Sequence, residues 1–190
     1  FLTSIDIGNY DGMLSNDCNA VSFYLKAVDE EIDKLPEGII TSFYENGGEI
    51  HIVDDIEDLF EIPKNLLPFG ILSGCYLPDK NDIYLRYVYS SRSDVIHELG
   101  HYVENTNNLV DNNFEKIFEE EKNIYKEKFD TTDYPLTSSK EYFAACFKSY
   151  FISNDKLKDI EGEIVIFALD KSTERLTVNK VSPSLAPAGI

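Results

Sequence analysis

Two histidines that flank a glutamate stand out among the residues able to do chemistry. Residues 97–101 read His, Glu, Leu, Gly, His, which is the HExxH pattern, and the chain holds only three histidines. On a helix, positions i and i+4 lie on one face about 6 Å apart, so both imidazoles can reach one ion. A catalytic zinc takes three protein ligands and leaves a position for water, whose proton a neighbouring glutamate can accept. The motif therefore predicts a hydrolytic zinc centre with His97 and His101 as ligands and Glu98 as general base.

The helix that must carry this motif is indicated by the residues around it. Ser91 can cap the helix, with Asp94 three residues further on, and the pattern runs to about Thr106. Its apolar face consists of Val95, Ile96, Leu99 and Val103. A chance pair of histidines on an amphipathic helix is the alternative, and the glutamate at the required spacing argues against it. His51, alone on a predicted strand, is interpreted as a structural or surface histidine.

A third metal ligand has to come from elsewhere in the chain. No histidine follows His101, so a carboxylate is required. Glu104 is better placed to accept an imidazole N–H, and Glu119–Glu121 are interpreted as a solvated helix face. Glu141 opens an apolar helix, but Ser138 and Glu141 also form a capping box that needs no metal. From the residues alone, these two interpretations of Glu141 are equally supported.

The remaining elements predict the α+β class, with helices flanking a small mixed sheet. The first half predicts a helix capped by Asn16 or Asp17 and stopped by Pro36, a helix at 37–44 and a strand at 49–53. A proline-broken loop with at most a short helix is predicted at 54–70, and a hairpin at 72–77 and 82–89. After the motif helix follow a helix opened by Asp111 and a buried helix capped by Ser138 or Ser139. We expect one domain over residues 1–160. Residues 161–190 are expected to hold a strand-like run at 164–169 and a linker-like tail of unknown role.

Composition limits the classes of partner. The formal charge is −18, with 17 Lys and Arg against 35 Asp and Glu, which argues against nucleic acid and anionic membranes as partners. No run approaches the roughly 18 apolar residues of a membrane span, so the chain is expected to be soluble. The chain begins at Phe1, so we expect a processed or truncated product. Cys18, Cys75 and Cys146 are far apart, which excludes a sequence-evident cysteine zinc site and favours buried thiols over a disulfide.

Two segments resemble a known family. VIHELGHYVE at 95–104 and YPLTSSKEYFAACFKSYF at 134–151 resemble the anthrax lethal factor-like metallopeptidases, which include the catalytic domain of lethal factor and the secreted Pro-Pro endopeptidases of clostridia. The resemblance implies that Glu141 is the third zinc ligand and that Tyr134, seven residues earlier, donates a hydrogen bond to the transition-state oxyanion. The order of elements follows the family over about residues 16–155. Ala145 departs from it, because many members carry a second glutamate there.

The resemblance also implies a fold and a function. The fold would be a single gluzincin-like metallopeptidase domain with an exposed sheet edge, here the hairpin at 72–89, that pairs with an extended protein or peptide substrate. The function would be that of a zinc-dependent endopeptidase with one Zn2+ per chain. Members are secreted or belong to larger toxins, some delivered into a host cell. The alternatives are a non-catalytic binding module of a larger toxin and a different zinc amide hydrolase.

Overall fold

The structure is a computed structural model that describes residues 4–6, 15–62, 71–87, 90–129, 134–152, 164–170 and 175–181, with side chains described in 22–62, 71–87, 90–127 and 134–152. The chain forms two compact units, residues 1–102 and residues 103–190. The described part is mostly helical with a small mixed sheet, and the α+β class is confirmed.

The sheet of the first unit has four strands within the described residues. They are β1 (Ser4–Asp6), β2 (Glu49–Val53), β3 (Gly74–Leu77) and β4 (Asp82–Arg86), in the spatial order β1-β2-β4-β3. The first three in that order are parallel, and β3 pairs antiparallel with β4, which leaves β3 at an edge of the described sheet. Ile50, Ile52, Ile83 and Leu85 are fully buried on one face, as the two-residue period of a strand requires.

The helices of the first unit precede and follow this sheet. They are α1 (Ser15–Ile32), α2 (Glu37–Glu45), the short α3 (Ile56–Leu59) and α4 (Asp94–Asn107), whose residues up to Tyr102 belong to this unit. Helix α2 ends at Asn46, and the following Gly47 has φ 80°, a left-handed conformation that favours glycine. The α2 side chains Ile39, Ile40 and Phe43 are buried, so this helix contributes to the core.

The second unit holds two long helices and a hairpin. Helix α5 (Asn112–Phe129) contacts α6 (Ser139–Ile152) through a cluster of aromatic side chains, namely Phe114, Phe118, Tyr125, Tyr142 and Phe143. Strands β5 (Ile164–Asp170) and β6 (Arg175–Val181) pair antiparallel, and β5 contacts α6. Ring centroids 5.2–6.1 Å apart, as in this cluster, are typical of buried aromatic pairs.

In the part of the chain that the structure describes, most predicted elements are confirmed, and three elements were missed. The strand at 49–53, the hairpin turn before Asp82 and the three helices that follow agree with prediction to within a few residues. The missed elements are β1, β6 and a short 3-10 helix at Tyr134–Leu136. The prolines of the 54–70 loop, the helix cap at Asn16 or Asp17 and the tail after residue 181 lie outside the described residues or side chains. The division at residue 160 stays a prediction.

Candidate active site

Helix α4 presents the two histidines of the motif on one side. Its start is held by Asp94, whose carboxylate accepts the Ser91 N–H at 2.9 Å, while the Asp94 N–H donates to the Ser91 carbonyl at 2.8 Å. These bonds make one half of the predicted capping box, because the Ser91 Oγ accepts the Ser93 N–H at 3.4 Å and not the Asp94 N–H. The rings of His97 and His101 lie with centroids 4.9 Å apart at 85°, and both side chains are half-buried. One helical turn therefore places two imidazoles close enough to share an ion.

Glu98 points from the same helix to the edge strand. Its side chain is 6% exposed. A Cβ built on Gly74 of β3 would lie 2.7 Å from Glu98 Oε1 and 3.2 Å from its Cδ and Cγ. Contacts under 3.0 Å are essentially never seen for a real Cβ, so the carboxylate occupies space that only a glycine leaves free.

A buried ion pair holds the chain just before that glycine. Arg86 and Glu57 are 4% and 1% exposed and form a salt bridge. Glu57 Oε1 accepts the Leu72 N–H at 2.6 Å, and Arg86 Nε donates to the Leu72 carbonyl at 3.0 Å. The Arg86 N–H also donates to the Ser73 carbonyl at 2.9 Å. Both main-chain groups of Leu72 are thus fixed by charged side chains, which gives stronger bonds than neutral partners would.

Helix α6 begins as the sequence predicts. Ser138 Oγ accepts the Glu141 N–H at 3.2 Å, so Ser138 is the N-cap and the Glu141 side chain lies half-buried in the first turn. Glu104 is 4% exposed, and its Oε2 lies 3.2 Å from Lys140 Nζ. Glu104 therefore faces the residue next to Glu141, and its expected contact with an imidazole stays a prediction.

Tyr134 opens the 3-10 helix that precedes α6. Its carbonyl accepts the Thr137 N–H at 3.1 Å and the Thr137 hydroxyl at 2.8 Å. These local bonds fix the backbone of the turn, and the Tyr134 side chain is half-buried. A half-buried phenol with a fixed backbone can present its hydroxyl to a ligand.

The predicted metal ligands form one group. One nitrogen each from His97 and His101 and one carboxylate oxygen of Glu141 all lie within 4.8 Å of one another. Two imidazoles and one glutamate are the donor set of a catalytic zinc site with a position left for water. These residues could therefore hold a zinc ion.

One interpretation from the sequence is wrong. Glu119 and Glu120 are exposed, as expected for a solvated helix face, but Glu121 is 6% exposed and accepts a hydrogen bond from the Tyr142 hydroxyl at 3.1 Å. Position 121 falls on the inner face of α5, three residues after the buried Phe118. Its place in the helical repeat therefore decides that Glu121 is buried, although it belongs to a run of three charged residues. Burial, followed by nearby Cys146 and Glu121, raises the pKa of Tyr142, so its hydroxyl stays protonated.

The described thiols are free and unsuited to nucleophilic chemistry. Burial and the nearby Glu98 charge raise the pKa of Cys75 to about 12. Cys146 is buried, and burial raises its pKa as well. Because the thiolate is the reactive form, neither supplies a nucleophile at neutral pH. The side chain of Cys18 lies outside the described ones.

Known proteins resemble the chain in both sequence and fold. The family model described as "Anthrax toxin lethal factor, N- and C-terminal domain" matches residues 84–162, which contain both motifs. The resemblance to the lethal factor family is confirmed. A solved structure of a Pro-Pro endopeptidase from Paenibacillus alvei matches with a TM-score of 0.57 and 19% identity, over 83% of this chain and 89% of that chain. At this identity the match shows a shared fold. No curated protein matches the sequence.

Gly74 is the site residue that sequence reasoning missed. The hairpin was predicted, but one glycine in the segment Ser73–Cys75 carries no signal that distinguishes a close approach from an ordinary strand glycine. Only the packing of β3 against α4 reveals it. Ala145 stands where many members of the resembled family carry a second glutamate, and it is 6% exposed on α6.

Proposed function

We propose that this protein is a zinc-dependent endopeptidase, with His97, His101 and Glu141 as the metal ligands. The observation that carries the proposal is that donor atoms of these three residues lie within 4.8 Å of one another. The general class, a peptidase, is supported by the lethal factor family model and by the fold shared with a Pro-Pro endopeptidase. When bound, one zinc per chain supplies Lewis acidity that makes water nucleophilic near neutral pH and polarises a carbonyl.

Glu98 is proposed as the general base. Its position between the two histidines puts the carboxylate beside a water that the ion would hold, and its burial beside Gly74 limits its freedom to move. Glu98 takes the proton of the attacking water and passes it to the leaving amine. Tyr134 is proposed to donate a hydrogen bond to the oxyanion, as the resemblance implies.

The substrate is proposed to be an extended protein or peptide segment. Strand β3 lies at an edge of the described sheet and carries Gly74 beside Glu98. A peptide that adds a strand at this edge would therefore pass the proposed base. The helices of the described residues include none long and apolar enough to cross a membrane. Secretion, and origin from a larger toxin, are proposed from the family resemblance alone.

Neither rival function requires every feature of the proposed site. A non-catalytic binding module has no need of a general base next to two histidines, yet Glu98 is present there and buried. A small-amide hydrolase has no need of a strand edge beside the base. Cleavage of an unstructured protein such as casein, with no turnover of small amides, would separate the peptidase from this second rival.

Zinc content and proteolysis, measured together, test the proposal. After dialysis against a weak chelator, wild type should keep one zinc per chain, and the double variant His97→Ala/His101→Ala should keep none. Glu98→Gln should keep the zinc, but its activity should fall by a factor of about 10²–10⁴, the usual contribution of a general base. Tightly held zinc in the double variant would overturn the ligand assignment. Full activity of Glu98→Gln would overturn the role of the base.

A further inference from the structure

A second group of side chains with the donor atoms that a metal needs lies on the sheet itself. Glu49 and His51 stand two residues apart on β2, and the register places Glu49 opposite Asp82 and His51 opposite Tyr84 on β4. Because side chains alternate between faces, these four residues share one face of the sheet. Cys75 pairs with Tyr84, so Gly74 next to it faces the other way, towards Glu98. The group therefore lies on the face opposite the proposed catalytic base.

The distances within the group fit a small ion. His51 Nε2 lies 3.5 Å from Glu49 Oε2 and 3.8 Å from Asp82 Oδ2, and the three donor atoms all lie within 4.8 Å of one another. Zinc bonds of about 2.0–2.2 Å in a tetrahedral arrangement separate neighbouring donors by about 3.3–3.6 Å. Small side-chain rotations would thus bring all three donors to bonding distance of one ion.

The imidazole is held in position by its neighbour. The His51 and Tyr84 rings stack with centroids 4.6 Å apart at 17°, and the His51 and Asp82 side chains are each only 15% exposed. Burial, followed by the Asp82 carboxylate, raises the pKa of Tyr84. Stacking leaves the ring edge, which carries the nitrogens, directed at the two carboxylates. A partly pre-formed site loses less freedom when the ion binds.

We propose that Glu49, His51 and Asp82 form a second divalent-metal site that takes zinc or a similar first-row ion. One imidazole nitrogen with two carboxylate oxygens suits such ions better than calcium, which takes six to eight oxygen ligands. A dication would offset the two carboxylate charges in a chain of net charge −18. Glu49 is 51% exposed, so this site should exchange its ion more readily than the ligand group of α4 and α6.

The double variant His97→Ala/His101→Ala isolates this site. His51 is then the only histidine left in the full chain, and its ring resonances report on it without overlap. Titration of this double variant with zinc should show one binding event and should shift the His51 Nε2 resonance. Adding His51→Ala or Asp82→Asn should weaken that binding at least about tenfold, because each removes one of three ligands. Glu45→Gln is the matched control, since it removes the charge of an exposed helix residue outside the group.

The outcome does not depend on the proposed peptidase. If zinc leaves the His51 resonance unchanged, or binds equally well after His51→Ala, then the site does not exist and His51 serves only in ion pairs with the two carboxylates. Loss of the tightly held zinc in the double variant tests the catalytic ligands separately. In the wild-type chain, a second equivalent that depends on His51 and is removed by mild chelation would support both sites.

Discussion

Gly74 offers a way to disturb the proposed base without altering the HExxH motif. In Gly74→Ala the new Cβ would stand 2.7 Å from Glu98 Oε1, where ordinary contact begins at 3.4 Å. The carboxylate must therefore retreat by about 0.7 Å. A misplacement of about 1 Å in an active site can cost about 10² in rate, so we expect kcat to fall by about 10 to 10².

Stability should respond differently from activity. The atoms that would clash belong to the far end of a flexible side chain, and Gly74 has no positive φ that alanine would resist. Replacing such a glycine by alanine typically adds about 0.4–1 kcal/mol through the unfolded chain. We therefore expect the free energy of unfolding to change by less than about 1 kcal/mol and the zinc content to stay at the wild-type value.

The assay compares kcat, zinc content and denaturant unfolding for four variants. Ser73→Ala is the control, because it changes the adjacent side chain and keeps the carbonyl that accepts the Arg86 N–H. Glu98→Asp shortens the carboxylate by one methylene, so adding Gly74→Ala to it should cost much less than it costs the wild type. Wild-type kcat in Gly74→Ala, or equal losses on both backgrounds, would refute the reasoning.

Three further predictions concern α5, α6 and the turn before α6. Glu141→Gln should weaken zinc affinity, measured by zinc titration, far more than Glu120→Gln on the exposed face of α5. Equal affinities would refute the ligand role, because glutamine caps a helix nearly as well as glutamate. Tyr134→Phe should keep zinc and stability but lower kcat by about 10²–10³, and a fully active variant would remove Tyr134 from the mechanism. Tyr142→Phe should affect stability and not the metal. It removes the hydrogen bond that the Tyr142 hydroxyl donates to the buried Glu121 carboxylate, so it should lower the free energy of unfolding by about 1–3 kcal/mol and leave the zinc content unchanged.

The sequence predicts local structure here better than it predicts contacts between elements. The motif helix was predictable because its apolar positions and its Ser91 and Asp94 cap follow rules that operate within one turn. Strand β1 is three residues long, too short for an alternating pattern to be recognised. The approach of Gly74 to Glu98 depends on how elements pack and carries no local signal. The burial of Glu121 was missed although its spacing from Phe118 is helical, because a run of three charged residues favours a solvated face. Glu141 illustrates the limit, since a cap and a ligand require the same residue at the same place.

The short edge strand limits how tightly main-chain pairing alone could hold a peptide. The Arg86 N–H donates inwards to the Ser73 carbonyl, and inward bonds recur at every second residue of an antiparallel ladder. The N–H and C=O groups of Gly74 and Tyr76 therefore point outwards from the described sheet. Four such hydrogen bonds, each worth a net 0.5–1.5 kcal/mol or so, would contribute about 2–6 kcal/mol, less than the roughly 8 kcal/mol of micromolar affinity. Discrimination between peptides must then come from side chains flanking this edge, so cleavage should depend on the few residues around the scissile bond and little on substrate length.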